Sequence, residues 1–175
     1  IADEYMHAPT DHPQFNESMY FNFVDGKTGF ATLVRMGNRA NEGHAEVTVL
    51  VYLPGGGAAF HFERADIQDN SAFASAGLRF EIVEPFKHSR VTFDGKVRMM
   101  ARGTELEDAK KVFSENPLKR MQLTLDYEDV VPMFGLRKIQ PDEQGDIGQH
   151  RGADDGGGGQ VRGMFAPLAH ARTDQ

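Results

Sequence analysis

Between residues 15 and 62 the large apolar side chains recur at every second position, the repeat of strands that turn one face to a core. In the first run Phe15, Met19, Phe21 and Phe23 share a face, and Asn16, Ser18, Tyr20 and Asn22 share the other. Asp25-Gly26-Lys27-Thr28 is a turn signal. A hairpin closed there with Val24 opposite Gly29 sets Phe23 against Phe30, Phe21 against Thr32, Met19 against Val34 and Glu17 against Met36. The two apolar rows then coincide, whereas a slip of one residue would bring Leu33 and Arg35 to the phenylalanines. Ala45, Val47, Val49, Val51 and Leu53 form a third alternating run. A two-residue loop at Asn41-Glu42 places Met36 opposite Val47 and Val34 opposite Val49, so the same face continues. After the Gly-rich turn over 53–58, Phe60 and Phe62 alternate with His61 and Glu63 on a fourth strand.

The second half repeats the meander. Residues 78–85 and 88–100 read as strands, with Asp94-Gly95 as a hairpin turn dividing the latter. One helix follows: Thr104 is placed to cap it, Glu107 to close a capping box, Leu106, Ala109 and Phe113 to form its apolar stripe, and Asn116-Pro117 to stop it. Met121, Leu123, Leu125 and Tyr127 alternate on a last strand. Beyond Gly135 the pattern lapses, and residues 141–159 are so rich in Gly and Asp that burial cannot offset their ordering entropy. The predicted organisation is an arm over 1–14, an antiparallel all-β domain over 15–136 with one short helix, and a linker or disordered tail over 137–175. About eight or nine short strands suit a curled sheet, an open barrel or a sandwich. A continuous face of Phe and Met on such a sheet makes either a packed core or a pocket for something apolar.

Composition narrows the partners. At 175 residues the chain can bury one sizeable core. A formal net charge of -7 with no basic run argues against a nucleic-acid partner, whose phosphates call for clustered Lys and Arg. No apolar run reaches the roughly 20 residues that span a bilayer. The absence of Cys removes thiolate catalysis, Cys-ligated zinc and disulfides, and suits a reducing, cytoplasmic compartment.

The distributed pattern of residues 15–56, together with that of 77–97, resembles uncharacterised bacterial relatives of the lipocalin-like hydroxyneurosporene synthase (carotenoid 1,2-hydratase) and AttH group, over Phe15 to Phe134. The resemblance implies a calycin-like β-barrel, two copies of which commonly form one longer chain, and a hydrophobic or isoprenoid-like substrate. This sequence has no Trp, although a tryptophan-bearing motif belongs to the second half of such proteins. The second half is therefore expected as a separate or missing chain, and an oligomer with the same or a companion chain is expected with it.

One charge interrupts the apolar face. A carboxylate at Glu17, set among Met19, Phe21, Phe23, Phe30, Val34, Met36, Phe60 and Phe62, could deliver a proton to an alkene whose cation the aromatic faces would cradle. Asn38 shares that face and could orient the carboxylate or a substrate oxygen. This is the pattern of a hydratase, lyase or isomerase acting on a hydrophobic small molecule. The competing roles are a carrier with the same pocket, a structural subunit, and a strand-end Glu17 that simply bonds backbone N–H groups or solvent. Arg35, on the opposite face near Ser18 and Tyr20, suits structural ion pairing. His61 and Glu63 share a face but lack a third ligand at metal-binding spacing, and the Gly-rich stretches lack the features of a phosphate loop, so neither metal nor nucleotide cofactor is expected.

Overall fold

The computed structural model describes residues 5–128 and 166–172. Nine strands form one antiparallel sheet: β1 (Glu17–Asp25), β2 (Phe30–Arg39), β3 (His44–Tyr52), β4 (Ala58–Asp66), β5 (Ala74–Ser75), β6 (Leu78–Glu84), β7 (His88–Met100), β8 (Leu118–Glu128) and β9 (Ala166–Arg172). A short helix, α1 (Ala109–Glu115), lies between β7 and β8. The strand order is β1-β2-β3-β4-β7-β6-β5, and β8 and then β9 follow on the other edge of β7. The sheet is thus all-β and antiparallel as the alternation predicts, curled but not closed.

The branch point is β7. One edge pairs with β8 from His88 to Arg98. The opposite edge is divided, residues 88–93 pairing with β6 and residues 98–100 with β4. Curling around this strand brings β1 onto β6 and β8, so that the Phe21 ring lies 5.3 Å from Phe80 and 4.7 Å from Tyr127. Met19, Phe21, Val34, Met36, Val47 and Val49 are sealed in one apolar cluster with Phe80, Val91, Phe93, Leu123, Leu125 and Tyr127. This face of Phe and Met is therefore a packed core over most of its length. Burial pushes the Tyr127 phenol well above the ordinary tyrosine range, although Thr32 beside it pulls the other way.

The β2–β3 register is the predicted one, Met36 facing Val47 and Val34 facing Val49. The β1–β2 register is displaced by two residues from the expected hairpin. Asp25 pairs with Phe30, so Glu17 faces Asn38, Met19 faces Met36, Phe21 faces Val34 and Phe23 faces Thr32. The turn dictates the difference. The Asp25 carboxylate accepts hydrogen bonds from Lys27 N (2.9 Å) and Thr28 Oγ1 (2.7 Å). Gly29 N–H donates to Asp25 O at 2.9 Å, and the left-handed backbone that this requires falls on Gly29 (φ 76). The loop keeps the expected four residues but sits one position further along, at 26–29 instead of 25–28, which displaces the pairing by two.

Two further expectations are corrected. Asp94-Gly95 is no hairpin turn, for β7 runs straight through it. The Asp94 carboxylate is claimed by Arg120 and Gln122 of β8, and a side chain at Gly95 would strike the Phe93 ring, its Cβ falling 2.6 Å from Cζ. The chain reverses instead before β7, where Phe86 takes a positive φ of 58 and Lys87 N donates to Glu84 O. Nor does Thr104 cap α1. Residues Gly103–Asp108 form a 3-10 turn whose start is tied by Glu105 to the backbone N–H of Arg102, and the cap of α1 is Asp108, which accepts from Lys111 N at 3.1 Å. The helix buries Val112 and lies with Leu106 against Ala58, Met100, Leu50 and Phe60 on the outer face of the sheet. Of the expected tail, residues 166–172 form β9 along β8. The Gly/Asp-rich stretch 141–159 and the expected boundary at 136 lie outside the described residues.

Candidate functional site

The register that displaces the hairpin is what brings the two predicted polar residues together. Glu17 and Asn38 are direct cross-strand partners, and Glu17 is 14% exposed while Asn38 is 1% exposed. A third residue completes the group. Asn70, in the loop after β4, donates from Nδ2 to Glu17 Oε2 at 2.6 Å and to His7 O at 2.8 Å. Its Oδ1 accepts from Asn38 Nδ2 at 3.1 Å, and Asn38 Nδ2 also donates to Ala72 O at 2.9 Å. The N-terminal arm closes the group from above: His7 N donates to both Glu17 oxygens (3.1 and 3.2 Å), and His7 Nδ1 lies 2.5 Å from Oε1. Asn38 Oδ1 is buried and has no hydrogen-bond partner among the described residues.

This arrangement has a definite chemical bias. An acid that protonates carbon must present a free O–H to its substrate. Here both carboxylate oxygens are occupied by donors from the arm and from Asn70. Glu17 therefore acts as an acceptor that hangs residues 5–16 on the sheet end. Asn41 assists, donating from Nδ2 to Thr10 O (2.8 Å) and His12 O (2.7 Å). Sequence reasoning placed Glu17 and Asn38 on one face and read Asn41 as turn chemistry. It missed His7 and Asn70. The only sequence signal for Asn70 was the polar loop Asp69-Asn70-Ser71, in which Asp69 Oδ1 accepts from Ser71 N at 2.8 Å and so fixes the backbone that presents Asn70.

The predicted ligand-facing residues divide three ways. Met19, Phe21, Val34 and Met36 are core. Phe23 and Phe30 are partly buried and meet each other, rings 5.7 Å apart, at the far end of the β1–β2 hairpin from Glu17. Phe60 and Phe62 are corrected: the pairs Val51↔Ala59 and Val49↔His61 turn His61 inward and put Phe60 and Phe62 on the outer face. There the Phe60 ring finds Phe113 of α1 at 5.7 Å, edge to face, which gives the outward phenylalanine its apolar partner.

A cleft of about 210 Å³ opens beside the polar group. Tyr5 and Met6 of the arm form one wall, and Met19, Phe73, Phe80 and Ile82 supply most of the apolar remainder. Glu17 does not line it, although its neighbours Met6 and Met19 do. On the outer face Arg35 donates from Nη2 to Ser18 Oγ at 3.1 Å and lies 3.8 Å from Glu46. Arg64 at 2.8 Å and Arg39 at 3.7 Å complete a ring of cations on that carboxylate. The Glu46 carboxyl is held below its usual range, chiefly by the Arg64 hydrogen bond, against the opposing effect of burial. The room for this cluster comes from Gly37, where a Cβ would fall 2.8 Å from Arg35 Nη2. Among the described residues no three His, Cys, Asp or Glu side chains converge as metal ligands, and His61 Nε2 stands 3.8 Å from Glu63 without a third partner. No helix there is long and apolar enough to cross a membrane.

No curated protein and no solved structure matches the sequence. A family model does, over residues 1–154, which span the arm, the whole of β1 to β8 and the polar group at Glu17. The chain belongs to the family described as Domain of unknown function (DUF7064).

Proposed function

We propose that the protein binds a small hydrophobic molecule in the cleft between the arm and β6, and holds it without proton transfer from Glu17. The observation that carries this reading is the cleft itself, walled by Tyr5 and Met6 of a segment that the Glu17 group suspends over the sheet. An apolar cavity of about 150 Å³ accommodates benzene. The 210 Å³ here suits a one-ring or two-ring molecule, and a longer isoprenoid needs the arm to lift. The resemblance to the lipocalin-like hydratase group supports a ligand of this class, and the absence of Cys supports a reducing, cytoplasmic setting. Hydratase, lyase or isomerase chemistry through Glu17 is the weaker reading, because its oxygens are engaged and it stands outside the cleft.

Naphthalene is the probe. It is expected to bind saturably to the wild-type chain and to Glu17→Gln, whereas Ala74→Trp, which fills the cleft from an exposed position, should abolish binding without lowering the melting temperature. Equal affinity in Ala74→Trp would overturn the location. Product formation from a panel of terpenoid, steroid and aromatic alkenes, lost selectively in Glu17→Gln, would restore the catalytic reading.

A companion chain is a second part of the proposal. Among the described residues β1 has a strand on one edge only, and Tyr20 and Val24 on it are exposed. An open edge of this length is a template for pairing. Sedimentation at micromolar concentration is expected to give a mass above the 19.4 kDa of one chain. A monomer at every concentration would exclude self-association through this edge.

A further inference from the structure

The divided edge of β7 leaves a split in the sheet. β4 pairs with β7 only at Ala58, Ala59 and Phe60, and from His61 to Asp66 its sole strand partner is β3. Between the β6 and β4 pairings, the main chain of β7 passes the gap at residues 94–97, where His61 Nδ1 spans to Lys96 O at 2.9 Å. A carbonyl only accepts, so Nδ1 carries the proton and the imidazole pins the two strands without closing them. Above the pin lies a cleft of about 380 Å³, which runs on through Asp94, Gly95, Lys96 and Leu118 into a second of about 570 Å³. The trough lies on the outer face of the sheet, separate from the cleft beneath the arm.

Its lining is unusual for this molecule in two respects. Phe62 (45% exposed), Phe113 (37%) and Leu118 (50%) all border it, large apolar side chains gathered in one place and uncovered among the described residues. The charge beside them is positive, against a net charge of -7 for the chain. Asp94 is spent on Arg120, which reaches it at 2.7 and 2.8 Å and holds its carboxyl down to about 2, Gln122 adding a second donor. Glu63 lies 3.8 Å from His61 Nε2. Lys96 is exposed and has no ion-pair partner among the described residues, and Arg98 gives only its Nη1 to Asn116 O at 2.7 Å. Across the strands Arg98 stands between Phe60 and Leu118, with Lys96 two residues along, so two cations are set among the apolar side chains, complementary to a molecule with a hydrocarbon body and one negative head.

We infer that this trough binds an amphipathic carboxylate, a medium-chain fatty acid in its simplest form, with the chain along Phe62, Phe113 and Leu118 and the head at Lys96 and Arg98. The site stands independently of the one beneath the arm. Titration calorimetry of the whole chain with decanoate, below its micelle-forming concentration, tests it against 1-decanol as the neutral counterpart. Decanoate should saturate one site. Lys96→Glu should weaken decanoate by about tenfold or more, the worth of a charged hydrogen bond, and leave decanol unchanged. Leu118→Asp should weaken both, and Ala74→Trp neither. All three positions are exposed, so circular dichroism should confirm an unaltered fold. The inference is overturned if wild-type protein shows no saturable decanoate binding up to about 1 mM. It is overturned equally if Lys96→Glu binds decanoate as well as wild type, since the head group then makes no use of the cation, or if Leu118→Asp is without effect.

Discussion

Phe21→Ala is expected to destabilise the fold by about 3–5 kcal/mol, the range for truncating a buried aromatic side chain. Phe21 is 2% exposed, and its ring joins three strands, stacking on Phe80 of β6 and tilting against Tyr127 of β8. Truncation removes the transfer free energy of the ring and leaves a cavity that β1 cannot collapse to fill, because the Glu17–Asn38 and Asp25–Phe30 pairs fix the strand at both ends. In a domain whose total stability is about 5–15 kcal/mol, that is a large fraction. Urea denaturation should show the midpoint falling steeply with the slope unchanged. A loss under about 1 kcal/mol, well below the usual cost of such a truncation, would mean that β1 is not clamped between β6 and β8 as described.

Glu17→Ala should act differently, freeing the arm while sparing the core. The substitution leaves Asn70 Nδ2 and His7 N–H without their carboxylate, and each donor stranded from water costs about 1–3 kcal/mol. Asn70 keeps Asn38 as a donor to its Oδ1, but its Nδ2 retains His7 O only if the arm stays in place. The expected result is rapid amide exchange over residues 5–16 with the amides of β2 and β3 still protected. Glu17→Gln keeps one acceptor oxygen but turns an NH2 toward the donors, and should fall between wild type and Ala. Wild-type protection of the arm in Glu17→Ala would show that Asn41 and the remaining contacts suffice to hold it.

How far the sequence could be read depended on which interaction fixed each strand. The β2–β3 register was legible, since the apolar rows on either side of the turn leave one pairing that keeps both inside. The β1–β2 register was not. The side chain of Asp25 caps the loop and moves it one residue along the chain, and alternation cannot distinguish two registers that differ by an even step. For the same reason the parity of β4 showed that Phe60 and Phe62 share a face but not which face. That was decided by His61, which takes the inward position and donates to Lys96 O, and by α1, which shelters Phe60. Asp94-Gly95 has the composition of a turn, and only the β8 cation that claims Asp94 makes it strand. At the candidate site Glu17 and Asn38 could be placed together from parity alone. His7 and Asn70 reach them across 10 and 53 residues of chain from Glu17, through a loop and an arm with no periodicity to betray where they pack.

The sharing of one β7 edge by β4 and β6 bears on how the molecule comes apart. A sheet made of two complete modules could open along the seam between them, each half keeping its own interior. Among the described residues no such seam exists, because Val91, Phe93 and Val97 of β7 sit in the same cluster as residues of β1, β2 and β3 on one side and of β8 on the other. Peeling β4 away exposes the interior that β6 relies on, and peeling β6 exposes that of β4. Among the described residues local opening is therefore expected at the periphery, in the arm, the short β5 and the edge strand β9, with the strands inward of them melting as a single cooperative unit.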